Sequence, residues 1–237
     1  VGLTAVYLLA QKGIVARVIP ANEFESFKET LSKDTMLFAI SQSGETADTM
    51  IACKIVKERG GKVFAVLNNI YSSMAQMADK GFPIHAGAEI GVVSTKAFSG
   101  QIATIMKLFD FAISKNDFEE FVRWMQDKDL HKQCEKISKK YKDRESLYII
   151  GKSLCAPVAG EMALKIKEAS YIHAESFAAG ELKHGVISLI EKGTFAIVCD
   201  GVESASADLE NSSIQIHSRG GELMGIGFEN KNYYKYF

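Results

Sequence analysis

The sequence predicts an α/β fold: two doubly wound, parallel-sheet units, each a three-layer αβα arrangement, the second of them incomplete. Three observations carry this expectation. Short apolar runs of strand length alternate with longer segments whose apolar residues recur at helical spacing, as in a parallel sheet with helical crossovers. The short runs are apolar at nearly every position, as strands covered on both faces are; Met36-Leu37-Phe38-Ala39-Ile40 and Phe195-Ala196-Ile197-Val198-Cys199 are examples. The chain also repeats itself. Ala21-Asn22-Glu23-Phe24 lines up with Ala179-Gly180-Glu181-Leu182, Phe38-Ala39-Ile40 with Phe195-Ala196-Ile197, and Arg59-Gly60-Gly61 with Arg219-Gly220-Gly221, in one order and at nearly constant spacing.

Taken in order, residues 2–11 read as a helix and 14–19, apolar and rich in β-branched side chains, as a strand. Residues 21–33 are polar, a short helix and loop. The strand 36–40 leads through a turn into a helix over 47–59, where Met50, Ile51, Ile55 and Val56 share a face. Gly60-Gly61 stops that helix, and 62–67 is the next strand. A turn and short helix follow, then a brief strand at 82–85, a loop to Ser94 and a long apolar helix over 95–114. Residues 118–142 are amphipathic and charged and carry Trp124, the only tryptophan. In the second half 147–150 is a strand, 156–169 a helix, 172–174 a short extended piece, 195–199 a strand, the stretch to Arg219 helical and 222–226 a strand. The expected organisation is a first unit over 1–117, lacking the strand that would precede Val1, a helical connector over 118–144, and a second unit over 145–237, lacking its C-terminal part.

Composition narrows the function classes. The 237 residues carry 28 basic and 29 acidic side chains, a net charge of −1. With no basic block, nucleic acid is not an expected partner. Cys53, Cys134, Cys155 and Cys199 are far apart and form no C-x-x-C pair. That argues against zinc and against a disulfide framework, and fits a reducing, cytoplasmic location; the default for all four is a buried, inert thiol. No set of His, Cys and carboxylates has metal-ligand spacing, and no cofactor is expected. No apolar run reaches transmembrane length, so no membrane association is expected. The apolar N-terminus has neither basic leader nor cleavage site.

The segment with most chemistry is Ser41-Gln42-Ser43-Gly44-Glu45-Thr46, a strand-to-helix turn with three hydroxyls, an amide side chain and a glycine. In open α/β sheets ligands bind beyond the carboxyl ends of strands, and the first amides of a helix favour an anion. One reading is a phosphate cradle without a P-loop lysine. The other is an ordinary capped turn with Thr46 as N-cap. As first-turn carboxylates, Glu45 and Asp48 suit the helix dipole and are expected to point away from a ligand.

Ser41 to Thr49 (SQSGETADT) is similar to the first signature of sugar isomerase (SIS) domains. Glu89 to Phe98 (EIGVVSTKAF) is similar to a second. A third runs from Glu161 to Glu168, through Tyr171-Ile172-His173-Ala174-Glu175, to Gly180-Glu181-Leu182-Lys183-His184-Gly185. Together they resemble the isomerase domain of the glutamine–fructose-6-phosphate aminotransferase family. The resemblance covers nearly the whole chain. It implies two SIS subdomains, a homodimer, a hexose 6-phosphate substrate, and aldose–ketose isomerisation with ammonia incorporated at C2. It implies that Ser41, Gln42, Ser43 and Thr46 hold the phosphate and that Val92 and Ser94 line the sugar. It implies that Glu168 moves the proton between C1 and C2 with Lys165 beside it, and that His184, from the neighbouring subunit, helps open the ring. The family's glutaminase domain has no counterpart in these residues. Its Schiff-base lysine motif is not matched by Lys231 or Lys235, and neither is assigned.

On a helix over 156–169, Val158, Met162, Ile166 and Ala169 form an apolar stripe, with Lys165 at its edge, Glu168 one turn along and Lys167 opposite. An enediol mechanism needs a base over the C1–C2 bond, and Glu168 qualifies by type. Equally, Lys165 and Glu168 at this spacing form a routine surface ion pair. Histidine suits ring opening because it titrates near working pH, but a lone exposed histidine carries no role by itself, so that of His184 comes from the resemblance. His173, in a more apolar setting, reads as structural with a polar partner. Two further readings stand beside isomerisation: a module that binds a phosphosugar without converting it, and a stand-alone aminosugar-phosphate isomerase or deaminase.

Overall fold

The computed structural model describes residues 1–227; the tyrosine-rich tail with Lys231 and Lys235 lies outside them. The chain divides into two units, Val1–Ala112 and Ile113–Phe237.

In the first unit, α1 (Gly2–Gln11) leads into residues 14–19 and a 3-10 helix, Ala21–Thr30. Then come β1 (Met36–Ser41), α2 (Ala47–Glu58), β2 (Lys62–Leu67), α3 (Ser73–Met77), β3 (Lys80–Pro83) and α4 (Thr95–Leu108). The three strands form a parallel sheet in the order β1-β2-β3, with Met36 opposite Lys62 and Ser41 opposite Leu67. Residues 14–19, which the sequence predicts to be a strand, form none. β-branched composition favours a strand only where a ladder exists, and no strand of the structure lies next to β1 on its far side.

The second unit opens with α5 (Lys115–Met125) and α6 (Lys128–Tyr141). β4 (Ser146–Gly151), α7 (Cys155–Ser170), β5 (His173–Ala178), a 3-10 helix (Ala179–His184), β6 (Phe195–Asp200), α8 (Ser206–Ser218) and β7 (Glu222–Gly227) follow. The sheet is parallel, in the order β5-β4-β6-β7. Strand order therefore reverses at β4, the arrangement that opens a crevice at the strands' C-terminal ends.

Period-two alternation explains the cores. On one face of the second sheet Tyr148, Ile150, Ala196 and Val198 pack with Leu182, Leu209 and Ile216; on the other, Leu147, Ile149, Phe195 and Ile197 pack with Ala159 and Ala163 of α7. The deep stripe of α7 is thus its small residues; Met162 and Ile166 flank it, and Ala169 of the expected stripe is exposed. Tyr141 of α6 stacks on Phe195 with ring centroids 3.6 Å apart. In the first unit Cys53, Val56, Val63, Ala65 and Met74 fill one face, and Val66, Ile84, Ala97 and Ile105 the other. Burial pushes the thiol of Cys53 up to about 11 and that of Cys199 to about 12. Cys134 is exposed and Cys155 half-buried, so the default of a buried thiol fails for these two. No helix among the described residues is long and apolar enough to cross a membrane.

The internal repeat is a repeat of hydrogen bonds. Gly60 N–H donates to Lys57 O and Gly61 N–H to Val56 O; Gly220 N–H donates to His217 O and Gly221 N–H to Ile216 O. These are two Schellman motifs, each ending a helix with a left-handed glycine, φ +77° at Gly60 and +87° at Gly220. The next residue then enters the ladder the same way: Lys62 N–H donates to Thr35 O at 2.8 Å and Glu222 N–H to Thr194 O at 2.7 Å. Ala21 and Ala179 both open 3-10 helices whose fourth residues, Phe24 and Leu182, are buried. One match read from sequence shifts. The ladders set Met36, not Phe38, level with Phe195, because Met36 faces Lys62 and Phe195 faces Glu222. Ser41 then corresponds to Asp200.

A left-handed alanine costs about 1–2 kcal/mol. Gly60→Ala and Gly220→Ala are each expected to lower stability by about that much in urea unfolding. Gly81→Ala, with open space around it and no positive φ, is expected to be neutral or slightly stabilising. Glu222 supplies a pH-dependent counterpart. Its carboxylate accepts from Lys140 Nζ at 2.8 Å, Tyr141 Oη at 2.9 Å and Arg144 Nη2 at 3.1 Å. The Lys140 bond first, then that of Tyr141, holds its ionisation below the usual carboxylate range. A depressed value stabilises above the unfolded-state ionisation and is lost as pH falls through the folded one. Glu222 is 35% exposed, so Glu222→Gln is expected to cost only about 0.5–1 kcal/mol at neutral pH. Denaturant titrations should show this difference disappearing in acid.

Candidate functional site

The C-terminal end of β1 and the first turn of α2 are joined by hydroxyls. Ser41, buried, accepts the Gly44 N–H at 3.0 Å, and its Oγ lies 3.2 Å from Thr46 Oγ1. Ser43 Oγ accepts the Glu45 N–H at 3.1 Å. Gln42 O accepts the Asn68 N–H at 3.1 Å and Gly44 O that of Met74 at 3.1 Å, so the turn is tied to the loop after β2. Gly44 is at φ +72°, and a Cβ there would lie 2.1 Å from Ser72 Oγ; no other residue fits.

Thr46 occupies the N-cap position of α2, yet its side chain makes no capping bond; its hydroxyl is turned to Ser41 instead. The helix therefore begins, at the sheet rim, with amides that no side chain caps. Ser43, Thr46, Ala47 and Asp48 are exposed there. Glu45 Oε1 accepts the Ser73 N–H at 2.8 Å at the start of α3, and that bond holds its carboxyl below the usual range. Its charge is engaged with the start of α3. Ser72, Ser73 and Asn68 could not be assigned to this neighbourhood from sequence, because the loop after β2 carries no chemical pattern of its own.

Val92 and Ser94 sit in the loop before α4. Val92 is 85% exposed. Ser94, at the N-cap of α4, is left-handed at φ +49°, the kind of strained backbone that gathers at ligand sites. Glu89 Oε1 accepts the Ala97 N–H at 2.7 Å and Asn68 Nδ2 donates to Gly87 O at 2.6 Å, fixing both ends of the loop.

In the second unit Lys165 Nζ donates to Glu168 Oε2 at 2.7 Å and lies 3.5 Å from Glu161 Oε1. The three side chains are 19–26% exposed, while Lys167 is exposed. Glu161 joins the pair through the i, i+4 spacing, a signal present in the sequence but not used. His184 is exposed at the end of its 3-10 helix, anchored by the fully buried Leu182. Glu168 lies in the turn of α7 that leads into β5, and His184 beyond the far end of β5. Six strand residues span roughly 20 Å, so one copy of the unit does not bring Glu168 and His184 together. His173 is exposed at the start of β5, not set in an apolar environment.

The repeat adds a contrast. At the position equivalent to Ser41 the second unit has Asp200, fully buried, accepting from Ser206 Oγ at 2.7 Å at the start of α8. The start of α8 makes no side-chain capping bond either, so the two helix starts differ in carrying a carboxylate, Asp200, in one unit and a hydroxyl, Ser41, in the other.

A model of the SIS domain family matches residues 3–110 and 140–232. Curated relatives include the glutamine–fructose-6-phosphate aminotransferase (isomerizing) of Clostridium tetani, 37% identical over 244 residues, which covers 96% of this chain and 40% of that protein. The enzyme of the same name from Clostridium acetobutylicum is 40% identical over 228 residues, covering 89% and 37%. The chain therefore spans about two fifths of the length of these relatives. Among solved structures, the C-terminal domain of glucosamine-fructose-6-phosphate aminotransferase from Francisella tularensis aligns over 98% of this chain and 72% of its own, with TM-score 0.82 and 29% identity. A glucosamine-6-phosphate deaminase from Thermotoga maritima aligns over 99% and 74% with TM-score 0.83; at 24% identity it shows a shared fold. Matched by the family model in both units, the chain belongs to the SIS domain family, as an isomerase-type SIS domain related to glutamine–fructose-6-phosphate aminotransferase.

Proposed function

We propose that the chain is the sugar-phosphate isomerase part of a glucosamine-6-phosphate-forming enzyme, taking fructose 6-phosphate and ammonia to glucosamine 6-phosphate. The observation that carries the proposal is the uncapped start of α2, where Thr46 sits at the N-cap but bonds Ser41. The phosphoryl group is received by the hydroxyls of Ser41, Ser43 and Thr46, the Gln42 amide and the first amides of α2. Val92 and Ser94 line the sugar. Ammonia adds to the C2 carbonyl of the open-chain ketose and water leaves, giving the C2 imine; Glu168 then accepts the proton from C1 and returns it at C2 through an enamine-type intermediate, or through an enediol when no ammonia is present. Lys165 holds the carboxylate in position, and His184 of a second subunit assists ring opening. The span of β5 between Glu168 and His184 supports a site shared by two copies, hence a homodimer. The ammonia comes from a glutaminase activity that these residues do not contain.

The Lys165–Glu168 bond at 2.7 Å favours a second reading, binding without conversion, because a base engaged by a lysine must be released before it accepts a proton.

Conversion of fructose 6-phosphate to glucose 6-phosphate, together with calorimetric binding of the same sugar, separates the readings. On the isomerase reading Glu168→Gln loses at least about 100-fold in rate and keeps its sugar affinity. His184→Ala is also impaired, and mixing the two variants so that subunits exchange restores activity. Equal turnover by Glu168→Gln and parent would end the assignment of Glu168. Saturable binding with no conversion by the parent chain, with or without ammonia, would establish the second reading. Failure of the mixed variants to recover would remove the shared site.

A further inference from the structure

We infer that Asn68 is a positioning residue that couples the phosphate turn to the sugar loop: it ties the Ser41–Thr46 turn to the loop carrying Val92 and Ser94, so that phosphate held in the turn fixes where the loop stands. The inference rests on the phosphosugar reading of that turn.

The place of Asn68 in the sheet makes this reach possible. β2 is the middle strand of the first sheet, and Asn68 is the residue that follows it. Leu67, which ends β2, faces Ser41 of β1 on one side and Pro83 of β3 on the other. The next residue along the middle strand therefore stands at the rim between two loops, the hydroxyl turn after β1 and the loop after β3. Its backbone N–H donates to Gln42 O at 3.1 Å, inside the turn. Its side chain reaches the other loop: Oδ1 accepts the Ala86 N–H at 3.0 Å, and Nδ2 donates to Gly87 O at 2.6 Å. One half-buried residue thus bonds the backbones of both loops.

The chemistry is specific to asparagine. The N–H of Ala86 and the C=O of Gly87 ask for an acceptor and a donor side by side on one short side chain, and a primary amide supplies them. Turning that amide over would set nitrogen against an N–H and oxygen against a carbonyl, so its orientation is fixed. An ionised aspartate has the shape but no donor, serine and threonine have a single oxygen, and glutamine is one carbon longer. Toward its other end the same loop is tied to α4: Glu89 Oε1 accepts the Ala97 N–H at 2.7 Å, and Lys96 Nζ donates to Ala88 O at 2.6 Å. A ligand that steadies the turn steadies Asn68 through Gln42 O, and the loop through the amide. Order gained on binding phosphate is then already in place when the sugar meets Val92 and Ser94, which favours affinity.

The test titrates the chain with inorganic phosphate and follows amide shifts at Gly44 and Ala47 together with hydrogen exchange over residues 86–94. In the parent, protection of the loop is expected to rise with the same dissociation constant as the shifts in the turn. In Asn68→Ala and in the isosteric Asn68→Asp, the turn is expected to bind phosphate as before while the loop no longer responds. By calorimetry both variants are expected to bind fructose 6-phosphate about tenfold more weakly, the worth of the lost side-chain bonds. Asn69→Ala is the control, because the Asn69 side chain accepts only the nearby Tyr71 N–H at 3.0 Å; it is expected to behave as the parent. A loop that responds to phosphate equally in the parent and in both Asn68 variants would overturn the inference. So would a parent in which Gly44 and Ala47 respond and the loop does not. A parent in which Gly44 and Ala47 are silent would remove the phosphate reading and the inference with it.

Discussion

Ser41 joins a ladder to a helix. Its backbone closes β1 opposite Leu67, and its hydroxyl both accepts the Gly44 amide and meets that of Thr46. If that small set of bonds came apart, Thr46 would be free to cap α2 in the ordinary way, and the first amides of the helix would be spoken for. Because the bonds hold, a hydroxyl-lined rim, with Asp48 exposed in the first turn beside it, faces outward with the positive end of a helix dipole behind it. Gly44 is the steric condition: Ser72 stands where its side chain would be. The turn is thus shaped by contacts that keep a helix end available rather than by contacts that satisfy it.

The duplicated architecture sharpens the point. Both units end a helix with the same glycine pair, enter the next strand through the same carbonyl, and bury the same fourth residue of a 3-10 helix. With the scaffolds matched, the difference at one position carries the electrostatics. Ser41 presents a hydroxyl there, and Asp200, bonded to Ser206, presents a carboxylate.

Most of this architecture was legible in the sequence because parallel strands buried on both faces write themselves as unbroken apolar runs, and the Gly-Gly stops are unmistakable. Residues 14–19 form no strand for a physical reason: composition reports what a segment can do, and a strand also needs a neighbour. The shift from Phe38 to Met36 in the repeat has a similar origin, since side-chain likeness does not fix ladder register. At the site, the hydroxyl turn could be singled out from residue types, but whether Thr46 caps its helix depends on a rotamer. Ser72, Ser73 and Asn68 come from a loop without pattern. The burial of Asp200 depends on ladder register, which side-chain likeness does not set.

In the second unit Glu168 and His184 stand at opposite ends of β5, so a chemistry that needs both requires two copies, whereas a grip on phosphate requires only the first unit. The grip is therefore the more basic claim. Titrating the chain with inorganic phosphate while following backbone amide shifts tests it most directly. The account predicts saturable shifts with one dissociation constant at Gly44, Ala47 and Asp48, and none at the start of α8 beside Asp200. Equal shifts at both helix starts, or no response at the start of α2, would contradict it.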